Sequence, residues 1–257
     1  MQTIRLGSRE WSKVICGSNP FNARSHFSTA RDAEYRARFT DQGVERVLHR
    51  CLELGINTYE TSASERAWNL VSRIRQTSAR SLHFIGSTRV DETSEMKSHA
   101  QKLRFLIERK AELCVIHAQH VEKYWKGTTI PGLESMLEEI HAAGLLAGVS
   151  AHRIATVELC EKNGYAIDTY LFPLNLSGFV YPGYEGGETP QQRADLVRGL
   201  SRPVILMKIL GAGRIPPNEA LPFIAEHAKP NDLISIGFGS VDELEETLRI
   251  FEKEFHG

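Results

Sequence analysis

The stretch "GLESMLEEIHAAGLLAGVS", residues 132–150, carries two structural periods in one short run. Leu133, Met136, Leu137 and Ile140 recur at i, i+3, i+4 and i+7, which lays one apolar stripe along a helix. Gly144 stands where a helix can close on a left-handed residue. The run "LLAGVS" (145–150) then stays apolar without alternating, the pattern of a parallel strand buried on both faces. A helix feeding a buried strand through a glycine turn is the repeating step of an α/β protein.

The same alternation extends outward in both directions. Short apolar runs fall at 13–18 (KVICGS), 56–60 (INTYE), 82–87 (LHFIGS), 113–117 (LCVIH), 145–150, 168–175 (DTYLFPLN), 203–208 (PVILMK) and 232–237 (DLISIG). Helical patterns lie near 41–54, 65–76, 95–109, 131–143, 153–163, 189–200, 217–228 and 240–254. Eight strand-then-helix units without a linker predict a single (β/α)8 TIM barrel over residues 1–257 and disfavour a doubly wound open sheet. Residues 3–11 read as a short N-terminal hairpin plugging the barrel bottom. The length of 257 residues suits one such barrel, which needs about 250.

With 41% hydrophobic and 25% charged residues, the chain can bury a large core. A net charge of −1 with mixed signs offers no field for nucleic acid or anionic membrane. The start "MQTIRLGSREW" has no apolar run, and no segment reaches the ~18 apolar residues of a membrane span. Cys16, Cys51, Cys114 and Cys160 sit far apart among apolar neighbours, which predicts buried free thiols. The expectation is a cytoplasmic protein whose partner is a small-molecule substrate, with homo-oligomerisation left open.

Chemistry in such barrels sits at the C-terminal strand ends. Here those ends carry Ser18 and Asn19, Glu60, Ser87 to Arg89, His117, Ser150 and His152, Asn175, Lys208, then Gly237 and Gly239. Apolar strands that repeatedly finish on polar groups are the main functional signal of the sequence.

Several of these stretches resemble the aldo-keto reductase superfamily. "LGINTYETSASE" resembles its second-strand motif, "ELCVIHAQH" the fourth-strand motif ending in histidine, and "GLESMLEEIHAAGLLAGVSAH" the following helix and strand. "PVILMKILGAGR" and "IGFGSVDELEETL" resemble its seventh and eighth strands. The resemblance implies an NAD(P)-binding barrel and a working set of aspartate, tyrosine, lysine and histidine. By position these fall on Glu60, Glu65, Arg89 and His117, so only the histidine is retained. A glutamate is normally ionised at neutral pH, unlike a phenol with pKa about 10, so Glu65 cannot take the tyrosine's role. Arg89 stays charged and can hold an anion without titrating. The resemblance also implies cofactor contacts from Ser150, Gly237, Gly239 and Ser240, the last three at a helix start suited to anions. The acidic run Asp242, Glu243, Glu245 and Glu246 follows where NADP binders of the family often place basic residues.

Three readings of the strand ends compete. Glu60, His117 and His152 are ordinary ligands for a divalent metal, with His26 as a fourth ligand or lid residue, although no tight ligand spacing is present. The same groups can act as acid and base without metal, Glu60 or Glu65 taking a proton and His117 giving one. Lys208 can serve as a desolvated amine or as an ion-pair partner. Trp125 and Tyr184, with Tyr124, Phe179 and Tyr181, stand in two aromatic loops that suit walls around a polyol, or plain loop packing. Asn19, His26, His152 and Asn175 complete the candidate substrate contacts. The degenerate set favours a non-redox lyase, isomerase or epimerase acting on a carbohydrate-like substrate. The alternatives are a divergent NAD(P)H-dependent reductase and an inactive barrel that binds a metabolite or partner.

Overall fold

A computed structural model describes residues 1–256. Strands β1 (Thr3–Leu6) and β2 (Arg9–Ser12) form an antiparallel hairpin in which Ile4 faces Trp11. The strands β3 (Val14–Gly17), β4 (Thr58–Ser62), β5 (His83–Ser87) and β6 (Leu113–Ile116) follow. With β7 (Leu146–Ser150), β8 (Thr169–Pro173), β9 (Val204–Met207) and β10 (Leu233–Gly237) they run parallel in chain order. The barrel closes where Ile234 to Gly237 pair with Val14 to Gly17. These are the eight runs expected from the apolar pattern.

The crossovers carry α2 (Asp41–Glu53), α3 (Glu65–Thr77), α4 (His99–Glu108) and α6 (Leu133–Ala142). Further on come α7 (Ile154–Lys162), α8 (Pro190–Gly199), α9 (Pro217–His227) and α10 (Val241–His256). Each packs one apolar stripe on the barrel. In α2 the buried positions Val44, Val47, Leu48, Cys51 and Leu52 repeat at helical spacing. A loop expected after β3 instead holds a 3-10 turn at Pro20–Asn22 and the helix α1 (Thr29–Arg38), whose stripe is too polar to stand out. Ser28 caps α1 by accepting the Arg31 N–H. A short helix, α5 (Ala118–Val121), follows β6.

Alternation along the strands sorts side chains into two cores. The larger core lies between barrel and helices and includes Tyr59, Phe84, Cys114 and Phe172. The smaller fills the lumen with Ile15, Ile85, Val115, Leu171 and Ile205, and the hairpin residues Leu6 and Trp11 join it. Trp11 is fully buried, and its indole N–H donates to the Leu6 carbonyl at 3.1 Å. The hairpin thus plugs the bottom and leaves the opposite end as the mouth. All four cysteines are buried and free, and burial pushes the Cys114 thiol up to about 12. Among the described residues no helix is long and apolar enough to cross a membrane.

Helix starts near the mouth depend on side-chain caps. Ser64 opens α3 by accepting the Ala67 N–H at 3.2 Å. Ser64→Ala is expected to lower unfolding stability by about 1 kcal/mol in urea titration, and an unchanged midpoint would show that this cap contributes nothing.

Candidate active site

A cavity of about 660 Å3 opens at the C-terminal strand ends, within the ~300–1,000 Å3 usual for ligand sites. Glu60, Arg89, His117, His152 and Lys208 line it, together with His26, Tyr181 and Ser150. The cavity continues past Lys208 to Ile215 and reaches Gly237, Glu243 and Glu246 at the start of α10.

Glu60 reaches the cavity by strand alternation. Tyr59 turns outward into the large core, so Glu60 turns in. The sequence placed Glu60 at the strand's last position, but β4 runs on to Ser62. Burial pushes the Glu60 carboxyl up to about 7, against a smaller pull from Arg89. Neither Glu60 nor Arg89 makes a side-chain hydrogen bond or ion pair among the described residues, although both are half-buried. Burial also holds the Arg89 guanidinium below its ordinary range. Partly buried charges left unpaired within the chain are groups prepared for a ligand.

His117 follows β6 and caps α5. Its Nδ1 accepts the Gln119 N–H at 3.2 Å, and its backbone N–H donates to Thr88 Oγ1 at 3.0 Å. An accepting Nδ1 fixes the neutral tautomer with its proton on Nε2. Burial holds the ring well below the ordinary histidine range, helped by the charges of His152, Arg89 and Lys208, so it is neutral and presents an N–H donor. His152 has the opposite tautomer. Its Nδ1 faces a Glu122 carboxylate oxygen at 3.2 Å, and its backbone N–H donates to the other oxygen at 2.6 Å. The His117 and His152 rings meet edge-on with centroids 6.4 Å apart.

The ring series continues to Tyr181, whose centroid lies 5.2 Å from that of His152 at an interplanar angle of 81°. Lys208 Nζ lies 5.5 Å from the Tyr181 centroid and donates to the Val180 carbonyl. Burial is the main cause that lowers the Lys208 ammonium to about 7, with Arg89 adding repulsion. Its backbone, at φ 59°, and that of His26, at φ 54°, sit in the left-handed region that non-glycine residues rarely adopt. Burial, with Lys208 and Arg89, lowers His26 to about 4.

Other expected site residues serve the scaffold. Glu65 lies outside the cavity at the exposed start of α3 and pairs with Arg109 at 3.2 Å. The strand ends before the helix begins, so five residues carry Glu65 out of the mouth. Asn175 is buried and spends its amide on the 175–179 loop. It donates to the Phe179 and Lys208 carbonyls and accepts from Ser177 and Phe179. Trp125 donates to the Gly127 carbonyl, and the Tyr184 hydroxyl donates to Glu188 at 2.7 Å; neither lines the cavity. Asn19 lines the rim. Gly239 and Ser240 belong to the α10 start, where the Gly239 N–H already donates to Glu243 at 2.8 Å and Ser240 Oγ accepts from Glu243 N. Ser150 and Gly237 line the cavity.

The metal reading gains no support from the geometry. Among the described residues no group of three or more His, Cys, Asp or Glu side chains is placed to hold an ion. Glu60, His117 and His152 share the cavity wall, with the two imidazole rings edge-on to one another.

The sequence did not point to Glu122, Arg193 or Lys102. Arg193 is buried, pairs with Glu188 at 3.2 Å and donates to the His152 carbonyl at 2.9 Å. Lys102 donates to Ser62 Oγ and the Ala63 carbonyl, fixing the end of β4. Lys102 and Arg193 fall within helical patterns and Glu122 within an aromatic loop, and only the turn of the barrel brings these three inward.

No family model and no curated protein matches the chain. Solved structures do. An aldo-keto reductase from Bacillus halodurans in its holo form superposes at TM-score 0.67 with 13% identity, covering 100% of this chain and 94% of that one. A variant of Gox0644 in complex with NADPH gives 0.62 and 13%, covering 97% and 88%. An N-acetylmannosamine-6-phosphate 2-epimerase from Clostridium perfringens gives 0.52 and 16%, covering only 84% and 87%. The expectation of non-redox lyase, isomerase or epimerase chemistry is corrected by this pattern. The fuller and closer superpositions fall on reductases, one described with NADPH, and not on the epimerase. At such identities the likeness concerns architecture, and by architecture the chain is an aldo-keto-reductase-like (β/α)8 barrel.

Proposed function

We propose that the chain is a nicotinamide-dependent oxidoreductase that interconverts a carbonyl and an alcohol. The observation that carries this reading is the continuity of the cavity. It joins Glu60 and Arg89, whose side chains have no partner among the described residues, and His117 to the start of α10, so one groove serves both a reacting centre and a dinucleotide. A bound nicotinamide would supply or accept a hydride at the substrate carbon.

The lining suits a dianionic dinucleotide. Arg24 and Arg31, already beside Asp91 and Glu34, and Lys208 face the groove and would add to the cationic side of a phosphate seat, while Ser18 and Ser150 offer hydroxyls at the strand ends. The α10 start is a weaker phosphate seat, because Glu243 already takes the Gly239 N–H. His117 holds the substrate oxygen through its Nε2–H, and Arg89 takes an anionic or hydroxyl group beside it. Asn175, spent on its own loop, is left out of cofactor contact.

Calorimetric titration with NADH and NADPH tests the reading. Binding of either below about 1 mM is expected, and no heat with both up to that concentration would sink it. Glu243 and Glu246 line the far end of the groove, where a 2′-phosphate would meet two carboxylates. NADH is therefore expected to bind about tenfold more tightly than NADPH, and Glu246→Lys should narrow that ratio. Equal affinities in the unaltered chain would remove the carboxylates from any selecting role.

A further inference from the structure

Reduction of a carbonyl leaves charge on oxygen, which needs a proton. The residue five positions after Glu60 cannot give it, because Glu65 lies outside the cavity and pairs with Arg109. Arg89 does not release a proton in a protein. His117 is neutral, and loss of its one N–H would leave an imidazolate. The Lys208 ammonium is directed to the Val180 carbonyl.

We propose that Tyr181, on the loop after β8, is the proton donor of the reaction, an assignment that rests on the oxidoreductase reading above. Tyr181 lines the cavity, and its hydroxyl makes no hydrogen bond among the described residues. The neighbouring Tyr184 is the contrast, its hydroxyl held by Glu188 and the His152 carbonyl. The ring of Tyr181 is fixed on two sides, edge-on to His152 at 5.2 Å and beneath the Lys208 ammonium at 5.5 Å. His117, one ring further along the series, presents its N–H to the same cavity. A phenol from the loop after β8 and an amine after β9 thus share the cavity with His117 and Glu60, and only the last two stand where the sequence register assigns the family's working set.

In the reduction direction a bound dihydronicotinamide would supply the hydride, a proton with two electrons, that the carbonyl carbon accepts. The C=O π pair moves onto oxygen, the Tyr181 O–H bond breaks and the proton joins that oxygen. The phenolate regains a proton from water at the open mouth.

Tyr181→Phe tests this, with the unaltered chain and Glu60→Gln beside it. Only an oxygen without a protein partner is removed, so Tyr181→Phe should fold with an unchanged melting temperature. Three readouts follow: NADH affinity by calorimetry, affinity of phenanthrenequinone for the complex with NAD+, and turnover of that quinone with NADH. Tyr181→Phe is expected to bind NADH within about twofold of the unaltered chain. It should hold the quinone about tenfold more weakly and turn over at least about 100-fold more slowly. Normal quinone affinity and turnover in Tyr181→Phe overturn the assignment while the oxidoreductase reading stands. Turnover lost in Glu60→Gln but kept in Tyr181→Phe gives the proton to Glu60 and likewise overturns it. Failure of the unaltered chain to bind either dinucleotide overturns the oxidoreductase reading, and the Tyr181 assignment falls with it.

Discussion

Lys208→Met is expected to gain stability over the unaltered chain by about 3 kcal/mol more near pH 6.5 than near pH 9.5. The Lys208 ammonium is lowered from 10.5 to about 7, chiefly by burial at the end of β9. Between those values the folded chain binds fewer protons there than the unfolded chain, so this residue's contribution rises with pH. It is most unfavourable below the folded pKa, where folding must bury a charge, and the penalty fades as pH climbs toward 10.5. Methionine keeps the stem's volume and removes the charge. The lost hydrogen bond to Val180 is a nearly pH-independent cost, since a neutral amine also donates. Other titrating groups cancel in the difference. Urea unfolding of both chains at the two pH values checks it, and a constant difference would mean that Lys208 is solvated in the folded chain. The same substitution removes the cation above Tyr181, so a gain in stability should accompany a loss of turnover.

The barrel was legible because its strands are buried on both faces. Runs such as 82–87 and 232–237 show no alternation, and the helices between them show one stripe each, so eight units could be marked without any long-range information. The boundaries moved where local chemistry is ambiguous. Glu60 looked like a terminator, yet Thr61 and Ser62 continue the ladder with Gly86 and Ser87. Helix α1 stayed hidden because Tyr35 is its only buried residue, and a stripe of one cannot be seen as a period.

The site was legible only where strands carry it. Glu60, Arg89, His117, His152 and Lys208 follow from strand ends, since alternation and barrel polarity fix their direction. Loops and helices carry no such rule. Tyr181 read as one aromatic among several, Glu122 lay unmarked in an aromatic loop, and Arg193 lay unmarked in a helical pattern. Each gains its role from contact across the mouth: Glu122 on His152, Arg193 on the His152 carbonyl, Tyr181 beneath Lys208. Glu65 failed for the converse reason. A position inherited from a motif was trusted where the backbone leaves the strand and caps a helix instead.

Glu60→Gln is expected to be more stable than the unaltered chain by about 3 kcal/mol near pH 8 and by less than about 1 kcal/mol near pH 5. The sign is opposite to that of Lys208. Burial raises the Glu60 carboxyl from 4.5 to about 7, so the folded chain holds a proton there that the unfolded chain has released. Its favourable contribution is complete below 4.5 and is lost as pH rises through 7. Glutamine matches the neutral carboxyl in shape and does not ionise, so it escapes the penalty at high pH and changes little at low pH. Arg89 limits the gain, because its charge already offsets part of the cost of the carboxylate. Removing Glu60 takes one anion from Arg89 and leaves Asp91 as its remaining acidic neighbour, so Glu60→Gln with Arg89→Gln should be more stable than either alone. Melting curves of the four chains at the two pH values decide the matter. A Glu60→Gln gain that is equal at both would show a carboxylate open to water. A gain confined to high pH would show a chain that keeps an unstable charge at the mouth of its barrel, where only a bound ligand can balance it.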